Sequence, residues 1–214
     1  DGNAPAVLFD EIPGYPKGFR VLTNFYGGKR MNMTMGFPTD LSKLELTDAH
    51  FKYQIDGLPT IPYEVVDDGP VMENVLEGDD VDITMFPTPL WHEHDGGRYF
   101  GTGSFDVTLD PDSDWINVGC YRVMVQNEKQ VGIYMSPGKH GRLILGKYHE
   151  RGEPCPVAVV AGMHPALFMV AGLEIPYGKN EYDAAGGVLL VILRAFLNQR
   201  LLWSPGVPTV PGHP

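Results

Sequence analysis

Apolar positions fall in short runs cut by prolines and glycines, so the pattern predicts many small elements. Ala6 to Phe9 (AVLF) and Arg20 to Asn24 (RVLTN) predict two strands around the turn cluster Pro13, Gly14, Pro16 and Gly18. Thr39, after Pro38, is the expected N-cap of a helix to about Lys52, with Leu41, Leu44, Ala49 and Phe51 on its apolar side. Ile61 to Val66 opens an extended region, and the acidic run Asp79 to Asp82 suits a solvated loop. Phe86 to Phe100 is predicted as loop, Phe105 to Leu109 as strand, and Asp110 to Asp114 as the turn after it. Ile116 to Gln126 and Val131 to Met135 follow as strands, and Gly141 to Glu150 has helical spacing, with Leu143, Ile144 and Tyr148 on one side. The unbroken apolar run Pro156 to Gly162 predicts a strand buried on both faces. His164 is expected to cap a short helix that runs to Ala171. Strands followed by a βαβ-like alternation give class α+β, with α/β as the alternative.

Candidate chemistry concentrates between Trp115 and Gly141. A carboxamide (Asn117), a guanidinium (Arg122) and an imidazole (His140) on strands and a loop can hold a phosphate and its metal, given a carboxylate from elsewhere. Glu181, in the glycine-rich segment Tyr177 to Gly187, is the expected donor. Ser136-Pro-Gly-Lys-His140 leads into a helix N-terminus, where free N–H groups and the helix dipole favour an anion. Asn117 and Arg122 are five residues apart and face opposite sides of a continuous strand, so sharing one pocket requires the strand to bulge or bend, with Gly119 as the place where a bulge could sit. The plainer readings are that Arg122 pairs with a carboxylate on the sheet and that Asn117 closes the Asp-Pro-Asp turn. His92, Glu93, His94 and Asp95 allow a hydrogen-bonded structural loop, a pocket-lining loop or a metal site, the last implying a metal hydrolase.

Composition narrows the field. With 16 basic against 27 acidic residues, net −11, the chain is not expected to bind nucleic acid or an anionic membrane through a general basic field. Cys120 and Cys155 are too few for a disulfide framework and fit reduced thiols in the cytoplasm. The start, Asp1-Gly-Asn-Ala-Pro, has no basic and apolar signal pattern. The apolar run Val188 to Leu202 is too short and too polar to span a bilayer. GxGxxG, GxxxxGK[ST] and GxSxG are all absent, which removes the usual dinucleotide, P-loop and serine-hydrolase solutions.

Several blocks, in order, resemble the UbiD-type decarboxylases: NAPAVLF, MENVLEGDDVDITMFPTPLWHEHDGGRYFGTG, NVGCYR, SPGKHG, GEPCPVAVVAG and NEYDAAGG. The WHEHDGGRYFGTG block is most similar to members acting on hydroxylated or methoxylated benzoates. The resemblance implies a small N-terminal α/β segment (1–60), a split β-barrel flavin-binding domain with flanking helices (61–187) and an atypical tail (188–214). It implies prenylated FMN as cofactor, with Asn117, His140 and Glu181 on a divalent ion, usually manganese, and a potassium ion close by. Cys120, Tyr121 and Arg122 would line the flavin, and Ser136, Pro137, Gly138, His140 and Gly141 would receive its phosphate and ribityl chain.

Arg122 would also hold the substrate carboxylate and take part in proton transfer. Loss of CO2 from an sp2 carbon leaves charge that the modified flavin accepts. The implied activity is non-oxidative (de)carboxylation of a small aromatic or α,β-unsaturated acid, by a homo-oligomer in the full-length family form. The family's glutamate proton donor lies downstream of the position matching Gly187, where the resemblance stops, so the alternative is a flavin- or phosphate-binding fragment that is catalytically incomplete.

Overall fold

The computed structural model describes residues 4–101 and 103–198, with 53–56 and 190–198 as backbone only. The tail 199–214, including the end of the apolar run, lies outside the described residues. The class is α+β. A hairpin of β1 (Val7–Phe9) and β2 (Val21–Thr23) opens the chain as expected, followed by α1 (Lys29–Thr34) and α2 (Lys43–Asp56). Thr39 does not cap α2. Ser42 does, because Ser42-x-x-Glu45 closes a capping box: Ser42 Oγ accepts the Glu45 N–H, and the Glu45 carboxylate accepts the Ser42 N–H at 2.8 Å.

The remaining strands form two three-stranded antiparallel sheets and no closed barrel among the described residues. One sheet is ordered β3 (Tyr99–Gly101), β6 (Arg122–Asn127), β7 (Gln130–Tyr134). The other is ordered β5 (Ile116–Gly119), β4 (Ser104–Leu109), β8 (Val157–Ala161). The single strand expected from Ile116 to Gln126 is therefore two strands in different sheets. Gly119 does not bulge a continuous strand; the chain leaves one sheet and enters the other through 119–121. The Tyr121 ring packs where a Gly119 Cβ would stand, 2.6 Å away, and the Tyr121 N–H turns out of both ladders to the Asp106 carboxylate at 3.1 Å.

β8 is also not buried on both faces. It is an edge strand paired only with β4, and none of its residues is fully buried. Helix α3 (His140–Glu150) and α4 (Pro165–Ala171) sit where the periodicity placed them, and His164 caps α4, its Nδ1 accepting the Ala166 N–H at 3.1 Å. Helix α5 (Glu181–Asn198) runs without a break through position 187.

Three apolar clusters hold these parts. Phe105, Val118 and Ala171 join the β4–β5 sheet to α4; Ala166, Val170, Ala184, Ala185 and Val188 join α4 to α5; Trp115, Ile144 and Tyr148 seat α3. Each fully buried Phe or Val side chain here stabilises the fold by about 1.5–3 kcal/mol. Gly187 lets α5 approach the 59–61 segment, since a Cβ there would lie 1.7 Å from the Pro59 carbonyl oxygen. Among the described residues no helix is long and apolar enough to cross a membrane.

Candidate functional site

The first residue of α5, Glu181, meets the middle of β5. It is 2% exposed, and its Oε1 accepts the Asn117 Nδ2–H at 3.0 Å while its Oε2 accepts the Val118 N–H at 3.0 Å. Asn117, also buried at 2%, uses its Oδ1 to accept the Tyr121 hydroxyl at 3.0 Å, and that hydroxyl accepts the Gly141 N–H from the first turn of α3 at 2.9 Å. Nδ1 of His140 lies 4.0 Å from Glu181 Oε1. Its imidazole is fixed edge-on by Trp115, centroids 5.2 Å apart, and by Tyr177 at 5.6 Å. Trp115 is tied to the start of α5 by its indole N–H on the Lys179 carbonyl at 2.9 Å. Asn180 Oδ1 accepts the Ile116 N–H at 2.8 Å, so β5 is pinned to this segment on both sides of Asn117.

These groups line a cleft of about 630 Å³ between β5, the 136–140 loop and the 171–181 segment. Burial raises the pKa of Glu181, against the opposing Val118 and Asn117 hydrogen bonds. Burial lowers that of His140, helped by neighbouring Lys139. The imidazole is thus neutral at pH 7 and available as a ligand, and Glu181 has no Lys or Arg ion-pair partner among the described residues.

The description "3-octaprenyl-4-hydroxybenzoate carboxy-lyase Rift-related domain" matches residues 64–191, more than half of the chain. The chain belongs to the UbiD family. It is 32% identical over 213 residues to a pyrrole-2-carboxylic acid decarboxylase of Pseudomonas aeruginosa, covering 94% of this chain and 42% of that protein. It is 32% identical over 228 residues to a phenolic acid decarboxylase of Sedimentibacter hydroxybenzoicus, covering 99% of this chain and 45% of that one. The closed form of the S. hydroxybenzoicus vanillic acid decarboxylase superposes with a TM-score of 0.77 at 28% identity, over 88% of this chain and 40% of that one. The UbiD-class enzyme HmfF of Pelotomaculum thermopropionicum, in complex with FMN, gives 0.73 at 26% identity, over 88% and 40% of the two chains. The chain spans less than half the length of these relatives.

Set against the UbiD-family expectations, the structure brings Asn117, His140 and Glu181 to one corner, with Cys120, Tyr121, Pro137 and Gly138 along the same cleft. Gly141 stands just behind, joined through the Tyr121 hydroxyl. Ser136 is half-buried at the start of the loop. Arg122 is not brought in: it is exposed, and its guanidinium lies over the Tyr134 ring, 5.8 Å from the centroid, not on a carboxylate. Nor does Asn117 close the Asp-Pro-Asp turn, where Asp110 accepts instead from the Asp112 N–H, Ser113 and Lys147.

The residues present suit a hard divalent ion. A buried carboxylate without a cation, a carboxamide oxygen and a neutral imidazole are three hard or borderline donors that need outside oxygens to complete a shell. In the His92 to Asp95 loop Asp95 accepts the His92 N–H at 3.0 Å, a hydrogen-bonded turn, and no group of three His, Cys, Asp or Glu able to hold a metal exists among the described residues. That corrects the metal-hydrolase reading. The sequence did not single out the Tyr121 hydroxyl as the bridge between β5 and α3, nor the aromatic walls Trp115 and Tyr177; a tyrosine between two glycines distant in sequence carries no local signal.

Proposed function

We propose that this chain is the cofactor-binding part, residues 61–187 with the continuation of α5, of a prenylated-FMN-dependent carboxy-lyase. Its substrate would be an aromatic or α,β-unsaturated acid, with a hydroxy- or methoxybenzoate as first choice. The observation that carries this reading is the cation-free buried Glu181, bonded to Asn117 and facing His140 in an open cleft. Asn117, His140 and Glu181 take a divalent ion, Mn2+ being the first choice, with K+ beside it. Ser136 to Gly138, His140 and Gly141 take the phosphate and ribityl chain, where the N-terminus of α3 favours an anion. Cys120 and Tyr121 face the ring system; Cys120 is exposed to the cleft, yet desolvation by its surroundings, with Asp106 adding to the effect, pushes its thiol up to about 11, so it stays protonated at neutral pH and is not a nucleophile. Arg122 takes the substrate carboxylate after its side chain swings from Tyr134. When bound, the modified flavin supplies the electron sink for the charge left by CO2. The β3-β6-β7 and β5-β4-β8 sheets, linked by 119–121, are taken as the two parts of the expected split barrel, and the whole protein as a homo-oligomer.

Reconstitution with prenylated FMN and Mn2+ tests this. The expected result is 1:1 uptake that falls at least tenfold in Asn117→Ala, His140→Ala and Glu181→Ala; no uptake by the parent chain overturns it. A second reading, uptake without turnover, is favoured by the cleft's other carboxylate: Glu174 is ion-paired with Lys139 at 3.0 Å, which leaves no free carboxyl as proton donor in the cleft among the described residues. CO2 release from a methoxybenzoate separates the two.

A further inference from the structure

Asp106 sits at the centre of β4, 0% exposed, opposite Gly119 of β5 and Val159 of β8. Nothing in the cleft described above uses it. Taking a carboxyl out of water is costly unless it is hydrogen-bonded, and this one is only half satisfied. Its Oδ2 accepts the Tyr121 N–H at 3.1 Å, while its Oδ1 has no partner among the described residues. A valine would fill the space without that cost. A carboxyl supplies what a valine lacks, an acceptor for an N–H that has left one sheet and not entered the other.

Tyr121 is held at three further points. Its ring is wedged between Gly119 and Gly141, where added Cβ atoms would stand 2.6 and 2.7 Å from ring carbons. Its hydroxyl donates to Asn117 Oδ1 and accepts the Gly141 N–H, at 3.0 and 2.9 Å. The backbone end of this rigid side chain is anchored by Asp106, and the phenol end sets two groups of the cleft.

We infer that Asp106 is a positioning residue for the cleft: by holding the Tyr121 N–H it fixes the phenol that orients the Asn117 carboxamide and the first turn of α3. What it positions rests on the flavin-phosphate and metal reading above; the Asp106–Tyr121 coupling does not. The titratable groups near the carboxyl are Cys120 and Tyr121, both held uncharged at neutral pH, and β5 and β8 place Gly119 and Val159 against it. Burial pushes Asp106 to about 7, against the lowering hydrogen bond from Tyr121, which gives the coupling a pH signature. His140 and Glu181 also titrate at the far end of Tyr121, so the signature is read at the Tyr121 amide and as a difference from Asp106→Asn.

The experiment follows the Tyr121 amide resonance of the ¹⁵N-labelled full chain from pH 5.5 to 8.5, and measures FMN affinity on the same samples for the parent chain, Asp106→Asn and Asp106→Val. The Tyr121 amide of the parent chain is expected to shift with a midpoint near 7 that Asp106→Asn abolishes. FMN is expected to bind Asp106→Asn, which keeps an acceptor, within about twofold of the parent, and Asp106→Val roughly fivefold more weakly, the worth of one hydrogen bond. An amide that does not titrate, or titrates alike in parent and Asp106→Asn, overturns the inference. Equal FMN affinity in all three proteins overturns it too. If no FMN binds the parent chain, the reading of the cleft fails, and the amide titration still decides the coupling.

Discussion

Replacing Tyr121 by Phe removes one oxygen and tests whether the β5–α3 bridge holds the site together. The ring stays wedged between Gly119 and Gly141, so no cavity larger than a hydroxyl forms. Two partners are stranded: the Gly141 N–H, in the first turn of α3 with no intrahelical acceptor, and Asn117 Oδ1, left with a long 3.5 Å contact from Thr108 Oγ1. Gly141 and Asn117 are both buried, so water replaces the hydroxyl poorly. At about 1–3 kcal/mol for each buried polar group left unmatched, and with partial relief at the open side of the cleft, the loss is about 2–4 kcal/mol. Urea unfolding followed by far-UV circular dichroism would register this as a midpoint lower by about 1–2 M for a slope near 2 kcal/mol/M, with the slope unchanged. Tyr134→Phe, whose ring is 59% exposed, is the control and should stay within about 0.5 kcal/mol. A Tyr121→Phe loss no larger than the control would refute the bridge, since the two bonds would then be exchanged for water at no cost.

Other consequences follow from the same packing. Gly187→Ala drives a Cβ into the Pro59 carbonyl and should destabilise by about 3 kcal/mol or more, whereas Gly146→Ala in α3, with nothing within 4 Å, should stabilise by about 0.5–1 kcal/mol; paired thermal melts decide. Asp106 is raised to about 7 from an unfolded value of 3.8, so its contribution to stability is present below pH 4 and lost as pH rises through 7; parent and Asp106→Asn stabilities should diverge by about 2 kcal/mol, screening allowed for, in favour of the variant between pH 4 and 8. Asp110 behaves oppositely. Burial alone would raise it, but the Lys147 hydrogen bond and the Asp112 N–H hold it low, so its contribution is present above its unfolded value and lost as pH falls through the lower folded one; Asp110→Asn should remove that part of the acid limb in a urea series from pH 5 to 2.

The local elements were legible because their signals are local. His164 before Pro165 caps α4, the Leu143, Ile144 and Tyr148 spacing marks α3, and the β4 and β7 strands fall within a residue or so of the apolar runs. Apart from the α2 cap, where the local Ser42-x-x-Glu45 box outweighs Thr39, the strand errors have one origin: pairing partners distant in sequence. Ile116 to Gln126 looks continuous until Asp106 captures the Tyr121 N–H, and Val157 to Ala161 looks doubly buried because an apolar run does not say whether a strand lies at a sheet edge. Resemblance supplied Asn117, His140 and Glu181 as a set. No pattern along the chain told that the phenol of Tyr121 joins Asn117 to the Gly141 N–H, the residue after His140.

Glu181 shows why the three belong together physically. It stands at the N-terminus of α5, where the helix dipole favours an anion, and it accepts two N–H donors, yet burial still raises its pKa. Those backbone and carboxamide donors therefore recover only part of the hydration lost. A neutral His140 at 4.0 Å recovers none of it as charge, and the Lys139 ammonium is engaged by Glu174. A cation in the cleft would reverse that rise in pKa, and Asn117 Oδ1 and the His140 imidazole are the uncharged donors such a cation could accept without adding a second negative charge to the buried corner. The carboxylate whose burial weakens the fold at neutral pH is then the one that would hold a metal most strongly.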